Sequence, residues 1–199
     1  NNAFGARFGF LQHTVLPMFL YASLTRPLTE AEGAKLGGKP CWGGIPGDPY
    51  GSTVRRTHDN RILIRNSFSF NPDQQSKPDC LERFRHNHRQ SFERRFPMLP
   101  EVDFDYTWSG SLALTRNHKS FFGQLAPNVY GALFCSGLGV TRGTVTGTLL
   151  ADLVAGKRHE LIDFLLSTSG PNTLPPEPFL SIGVNATLWW GQRKAGLES

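Results

Sequence analysis

The apolar positions of this chain change period several times, and each change predicts an element. Residues 13–28 have the apolar content of a strand, which stops at Arg26-Pro27. Thr29, followed three residues later by Glu32, is a capping-box pattern, so 29–36 is expected to be a short helix. Residues 37–51 hold six Gly and three Pro around Trp42 and Tyr50, which reads as a loop that packs on a sheet or rims a pocket. Residues 52–57 and 61–70 flank the turn His58-Asp59-Asn60, and Ile62, Ile64, Phe68 and Phe70 share one alternation, so this stretch predicts a β-hairpin.

The period then lengthens. Leu81, Phe84, His88, Phe92 and Phe96 recur every three or four residues with charges between them, which predicts a helix over 78–96 that Pro97 and Pro100 stop. Residues 102–114 are mostly extended, and 129–135 is the next strand. A long helix is expected over 140–155 with Gly156 at its C-cap, then a short one over 159–166. A Pro-rich segment, 170–178, leads to a tail with Trp189 and Trp190. Strands, one helix, strands, then helix is an α+β arrangement, at the level of a fragment.

Between the strand at 129–135 and the long helix lies Ser136-Gly137-Leu138-Gly139-Val140-Thr141-Arg142-Gly143. A glycine turn here bares backbone N–H groups at the positive end of a helix dipole, a device that holds a phosphate or a polarised carbonyl oxygen. Its G-x-G-x-x-x-G spacing differs from the dinucleotide G-x-G-x-x-G.

Composition narrows the rest. With 199 residues, 39% of them hydrophobic, the chain has room for one domain or parts of two. The net charge of +5 is scattered, and the densest basic stretch, 83–95, contains Glu93 and follows Glu82, so nucleic acid is not an expected partner. No apolar run approaches the ~20 residues of a membrane span. Cys41, Cys80 and Cys135 fit neither a disulfide framework nor a metal site, and a reduced, cytoplasmic setting is expected. No Ser-His-Asp or metal-ligand spacing occurs, and no catalytic acid or base is assigned. His58 sits at a hairpin tip, His86 and His88 lie on the charged helix, and His118 follows the extended segment near the turn.

Tyr106-Thr107-Trp108-Ser109-Gly110, Thr115, Pro127-Asn128-Val129-Tyr130, the apolar strand, Ser136-Gly137-Leu138-Gly139 and Leu149-Leu150-Ala151-Asp152-Leu153 form an ordered set. It resembles the carboxyl-terminal part of FAD-dependent amine and amino-acid oxidases of the D-amino-acid-oxidase superfamily. Residues 21–28 and 53–64 resemble substrate-domain strands of the γ-glutamylputrescine-oxidase-like branch. The resemblance implies a two-domain flavoenzyme with a mixed-sheet substrate domain. Residues 1–7 would end an FAD-domain segment, 8–100 would belong to the substrate domain, and 101–199 would return to the FAD domain and tail.

Carried over residue by residue, the resemblance implies a noncovalent FAD held by Asn2, Ala3, Trp108, Gly110, Ser136, Gly137, Leu138, Gly139, Val140 and Thr141. Tyr21, Trp42, Tyr50 and Arg55 are expected to line a substrate pocket together with Leu112. Leu112 stands where amino-acid-oxidising members carry a carboxylate-clamping Arg and a covalently flavinylated branch carries a Cys. An amine without that clamped α-carboxylate is therefore the expected substrate, unless Arg55 or Arg142 substitutes. Leu63 aligns with a Lys of the covalent branch. The resemblance also implies a partner, the N-terminal half with the G-x-G-x-x-G unit, which this sequence lacks. Oxidation of an amine to an imine with release of hydrogen peroxide, as in polyamine catabolism, is the activity implied. A quinone-linked dehydrogenase like those acting on D-amino acids, or a noncatalytic fragment without cofactor, are the alternatives.

Overall fold

A computed structural model describes residues 4–196. It has the α+β character expected. In chain order the elements are α1 (Phe4–Arg7), β1 (Leu16–Thr25), α2 (Glu30–Lys35), β2 (Trp42–Gly44), β3 (Thr53–Arg56), β4 (Ile62–Phe70), α3 (Pro78–Arg95), β5 (Phe104–Leu114), β6 (Phe121–Ala126), β7 (Val129–Leu133), α4 (Gly139–Val154), α5 (Glu160–Ser167) and α6 (Phe179–Ala195). The chain forms two compact units. Among the described residues, one comprises 4–18, 72–74 and 111–182, and the other 19–71, 75–110 and 183–196.

The second unit is built on a five-stranded sheet in the order β2-β3-β4-β1-β5. β3 and β4 are antiparallel, with Val54 opposite Ile64 and Arg56 opposite Ile62. Ile62 and Ile64 are fully buried, as the period-two pattern demands of one sheet face. They share a core with Val54, Phe92, Phe96 and Phe104, so the apolar stripe of α3 covers that face. Asn60 sits at φ 58° in the β3–β4 turn, a conformation that Asn tolerates, and accepts from both Nε and Nη2 of Arg56. Thr29 and Glu32 form the reciprocal capping box at the start of α2. Glu32 also takes both ends of the Arg26 guanidinium, which with the Thr29 bonds lowers its carboxyl pKa to about 2.

Two elements of this unit depart from the expected pattern. Within the glycine-rich loop, 42–44 forms β2, an edge strand paired with β3. The tail forms α6, whose apolar residues surround the helix instead of marking one stripe, so periodicity does not reveal it. A Cβ at Gly191 of α6 would collide with the ring of Tyr50, so α6 can lie against that ring only because residue 191 has no side chain.

The first unit contains the β6–β7 hairpin, turning at Pro127-Asn128 with Asn128 at φ 61°. β6 is a strand that the sequence pattern does not mark. Gly123 interrupts its alternation, and only pairing with β7 supplies the missing ladder. Phe122 of β6, Leu149 of α4 and Ile162 of α5 make one small core, and Val15, Ala113, Leu133 and Phe134 make another. Val140, Val145 and Val154 of α4 remain exposed. Among the described residues no helix is long and apolar enough to cross a membrane.

His88 lies on the buried face of α3 and has no exposed surface. Its Nδ1 is 2.8 Å from Ser23 Oγ, which in turn is 2.9 Å from Thr107 Oγ1. Burial pushes the imidazole pKa from 6.5 down to about 4, against a smaller opposing effect of the Asn66 backbone. The folded state thus favours the neutral ring. Its contribution is fully present above pH 6.5 and is lost as pH falls toward 4, by up to roughly 3 kcal/mol. Replacing His88 by Asn, which keeps a polar partner for Ser23, should remove this dependence. The stability difference between wild type and H88N, from chemical denaturation followed by tryptophan fluorescence, is expected to shrink steadily from pH 7 to pH 4. A constant difference would mean that the ring is not buried neutral.

Candidate cofactor site

The site begins where β7 ends. Leu133 and Phe134 anchor the strand in the core, and the chain then turns through Phe134 at φ 63°, Ser136 at φ 49° and Gly137 at φ 89°. The Leu138 N–H donates to the Cys135 carbonyl at 3.1 Å, and the chain enters α4 at Gly139. Among the described residues no side chain caps this helix, and no acidic residue stands in its first turn. Its leading N–H groups thus have no partner within the helix, and the positive dipole end is uncompensated.

Two further features mark the turn. The hydroxyl oxygen of Ser136 is buried and has no hydrogen-bond partner among the described residues. Such an oxygen is costly unless something outside the chain satisfies it. Arg142, one turn into α4, donates through Nη1 to Ser120 Oγ at 2.9 Å and to the Cys135 carbonyl at 3.3 Å. It braces the turn and brings a cation to it. Ser120, Phe121, Cys135, Gly139, Arg142 and Gly143 lie around a cavity of about 250 Å³. A Cβ on Gly137 or Gly143 would meet nothing within 4 Å, so the chain leaves the approach to this helix end clear. Free N–H donors, an unsatisfied hydroxyl and a bare surface fit an electron-rich, flat group such as the pyrimidine edge of a flavin.

The other expected site residues fall as follows. Gly137 to Thr141 are exposed, and Ser136 is half-buried beside them. Leu112 is half-buried in the same unit. Trp108 and Gly110 are exposed on β5, in the sheet unit. Trp42 packs its ring 6.5 Å from Phe96 and belongs to the core margin. Tyr50 lies edge-on to Phe68 at 5.7 Å and borders a cavity of about 290 Å³ with Ser67, Asn87 and Gln192. Burial raises its hydroxyl pKa. Arg55 is exposed on β3. Tyr21 lies inside the sheet unit. It has no exposed surface, stacks 4.0 Å from Phe84 and bonds Ser69 at 2.8 Å, which makes it a core residue whose hydroxyl is already satisfied. Asn2 and Ala3 lie outside the described residues. His118 is exposed at φ 55° in the loop after β5. Among the described residues, no group of three metal-ligating side chains converges.

The turn is legible in the sequence, but its bracing by Arg142 is not, because Ser120 and Cys135 become neighbours only through the β6–β7 hairpin. The Ser-Gly-x-Gly spacing followed by Arg is the local signal that was available.

Residues 2–153 match the family described as FAD dependent oxidoreductase. A probable oxidoreductase OrdL of Haemophilus influenzae is 29% identical over 157 residues, 77% of this chain and 33% of that protein. The gamma-glutamylputrescine oxidoreductase of Escherichia coli K12 is 34% identical over 125 residues, 63% of this chain and 26% of that protein. The chain thus spans a third or less of these curated relatives. Among solved structures, iminodiacetate oxidase from Chelativorans sp. BNC1 aligns with a TM-score of 0.62 at 18% identity, over 86% of this chain and 45% of that one. Glycine oxidase from Geobacillus kaustophilus aligns at 0.58 and 20% identity, over 83% and 42%. L-proline dehydrogenase from P. horikoshii aligns at 0.57 and 19%, over 83% and 44%. With three-quarters of its length inside the family match, the chain belongs to the FAD-dependent oxidoreductases.

Proposed function

We propose that this chain is the part of an FAD-dependent amine oxidoreductase that carries the pyrimidine side of the flavin site and much of the substrate domain. The remainder, with the G-x-G-x-x-G unit for the dinucleotide, would come from a partner segment, as the greater length of the relatives suggests. The observation that carries the reading is the uncapped amino end of α4 beside the orphaned Ser136 hydroxyl. FAD, held noncovalently, would accept a hydride from the carbon beside an amine nitrogen. The N–H groups of Gly139 and Val140 and the Ser136 hydroxyl would hold the electron-rich edge and stabilise charge that grows there. Gly137 and Gly139 would let the backbone approach closely. Arg142 would fix the turn through Cys135. The imine product hydrolyses to a carbonyl compound. With oxygen as acceptor the second product is hydrogen peroxide; the branch resemblance supports a role in polyamine catabolism, and the cysteine usage a cytoplasmic setting.

Gly139 allows a clean test. A Cβ there would meet only Cys135 Sγ at 3.7 Å, an ordinary contact, so the chain has room for a Cβ at this position. The branched side chain would nevertheless stand between the helix end and the flavin. The Kd for FAD is expected to rise at least about tenfold, roughly 1.4 kcal/mol of binding, so that less flavin is retained after dialysis, with an unchanged thermal transition of the apoprotein. Full flavin retention would remove the cradle assignment.

Leu112 predicts the substrate. An apolar side chain cannot pair with an α-carboxylate, and a buried carboxylate without a cation costs several kcal/mol. Putrescine derivatives should therefore exceed simple D- and L-amino acids in kcat/KM. Oxygen uptake and quinone reduction measured in parallel identify the acceptor. A simple α-amino acid as the best substrate would refute this reading of Leu112.

A further inference from the structure

On the sheet face opposite α3 stand Arg55 and Arg65, which among the described residues have no carboxylate within ion-pair distance. Ile62, Ile64 and Asn66 are buried on the α3 side, so the alternate residues Leu63 and Arg65 of β4 lie on the other face. Antiparallel register sets Thr53 opposite Arg65 and Arg55 opposite Leu63. Arg55 and Arg65 are thus diagonal cross-strand neighbours, about 7–8 Å apart at Cα, a separation that two such long side chains can close on one ligand.

Arg65 is half-buried. Its Nη2 donates to Thr53 Oγ1 at 2.6 Å, and burial lowers its pKa. Thr53 orients the guanidinium but brings no charge. Arg26, Arg61, Arg85 and Arg89 each have a carboxylate within ion-pair distance, whereas among the described residues neither Arg55 nor Arg65 has one. The neighbouring strand leaves room. Gly43 lies opposite Arg55 on this face, and a Cβ there would make only ordinary contacts, 3.7 Å from both Arg55 Cγ and the Val54 carbonyl. A guanidinium drawn partly out of water with no anion beside it is unfavourable, and its planar fork matches a carboxylate in two-pronged fashion.

We infer that Arg55 and Arg65, with Thr53 as the positioning residue, form a carboxylate-binding site that holds an acid group of the substrate set apart from the reacting carbon. That this ligand is the substrate rests on the amine-oxidation reading above. Anion binding itself does not. Leu63, between the two cations on this face, supplies an apolar floor for the aliphatic part of such a molecule.

The test uses the complete flavoprotein and two isosteric probes, glutarate and the uncharged glutaramide, in titration calorimetry. Glutarate is expected to bind at least tenfold more tightly than glutaramide. Arg65→Gln and Arg55→Gln should each weaken glutarate by about tenfold and leave glutaramide unchanged. In the ligand-free protein, Arg65→Met should hold or raise the thermal midpoint, since it removes an unpaired charge, and only the wild type should gain stability from glutarate. Equal affinity for the two probes, unaltered glutarate binding in Arg65→Gln, or a lowered midpoint in Arg65→Met overturns the site. In turnover, Arg65→Gln should lower kcat/KM for a carboxylate-bearing amine but not for its methyl ester. An equal loss for both overturns the assignment to substrate. If glutarate binding follows the expected pattern while no amine is oxidised, the amine-oxidation reading fails and the anion site stands.

Discussion

The register between β3 and β4 is the constraint on which the sheet unit depends. Side chains alternate across a strand, so a slip of one residue would turn Ile62 and Ile64 to the far face and press Leu63 and Arg65 against Phe92 and Phe96. Each buried isoleucine contributes roughly 1.5–3 kcal/mol, and an arginine driven into that core would lose its hydration as well. The turn locks the same register. Asn60 at positive φ accepts from Arg56, donates to the Leu28 carbonyl through Nδ2, and so ties the hairpin to the segment before α2. Separation of a dry face from a cationic face follows from these few contacts.

The hairpin unit solves a different problem. Its small cores hold β6, β7, α4 and α5 together, yet they bury only Leu149 of the long helix. The helix is thereby placed with its amino end clear, the arrangement that anion recognition by backbone requires. Rigidity at that end comes from Arg142, which ties α4 to Ser120 before β6 and to Cys135 after β7.

Much of this was legible in the sequence because it is local. The capping box needs only Thr29 and Glu32, the hairpin only its alternation, and α3 only a stripe of three- and four-residue steps. The glycine turn announced itself as a strand-to-helix junction. What stayed hidden depends on partners distant along the chain. Position 88 stood out as a histidine on an apolar stripe, but Ser23, which satisfies its Nδ1, lies 65 residues away. Tyr21 looked like a pocket aromatic, and only the fold supplies Phe84 and Ser69 to make it core. Arg65 reads in sequence as an ordinary charge on a strand. That no carboxylate among the described residues pairs with it is visible only in the fold.

The contact between Gly191 and Tyr50 also bears on how the protein assembles. It joins positions about 140 residues apart, and the entropy of closing a loop grows with the logarithm of its length. Contacts of such long range form late, after local hairpins and helices have reduced the chain's freedom. During synthesis the Tyr50 ring and its neighbour Phe68 stand without their helical cover until residue 191 has emerged. The sheet unit therefore passes through a stage with an unsealed aromatic edge, when chaperone capture competes with folding.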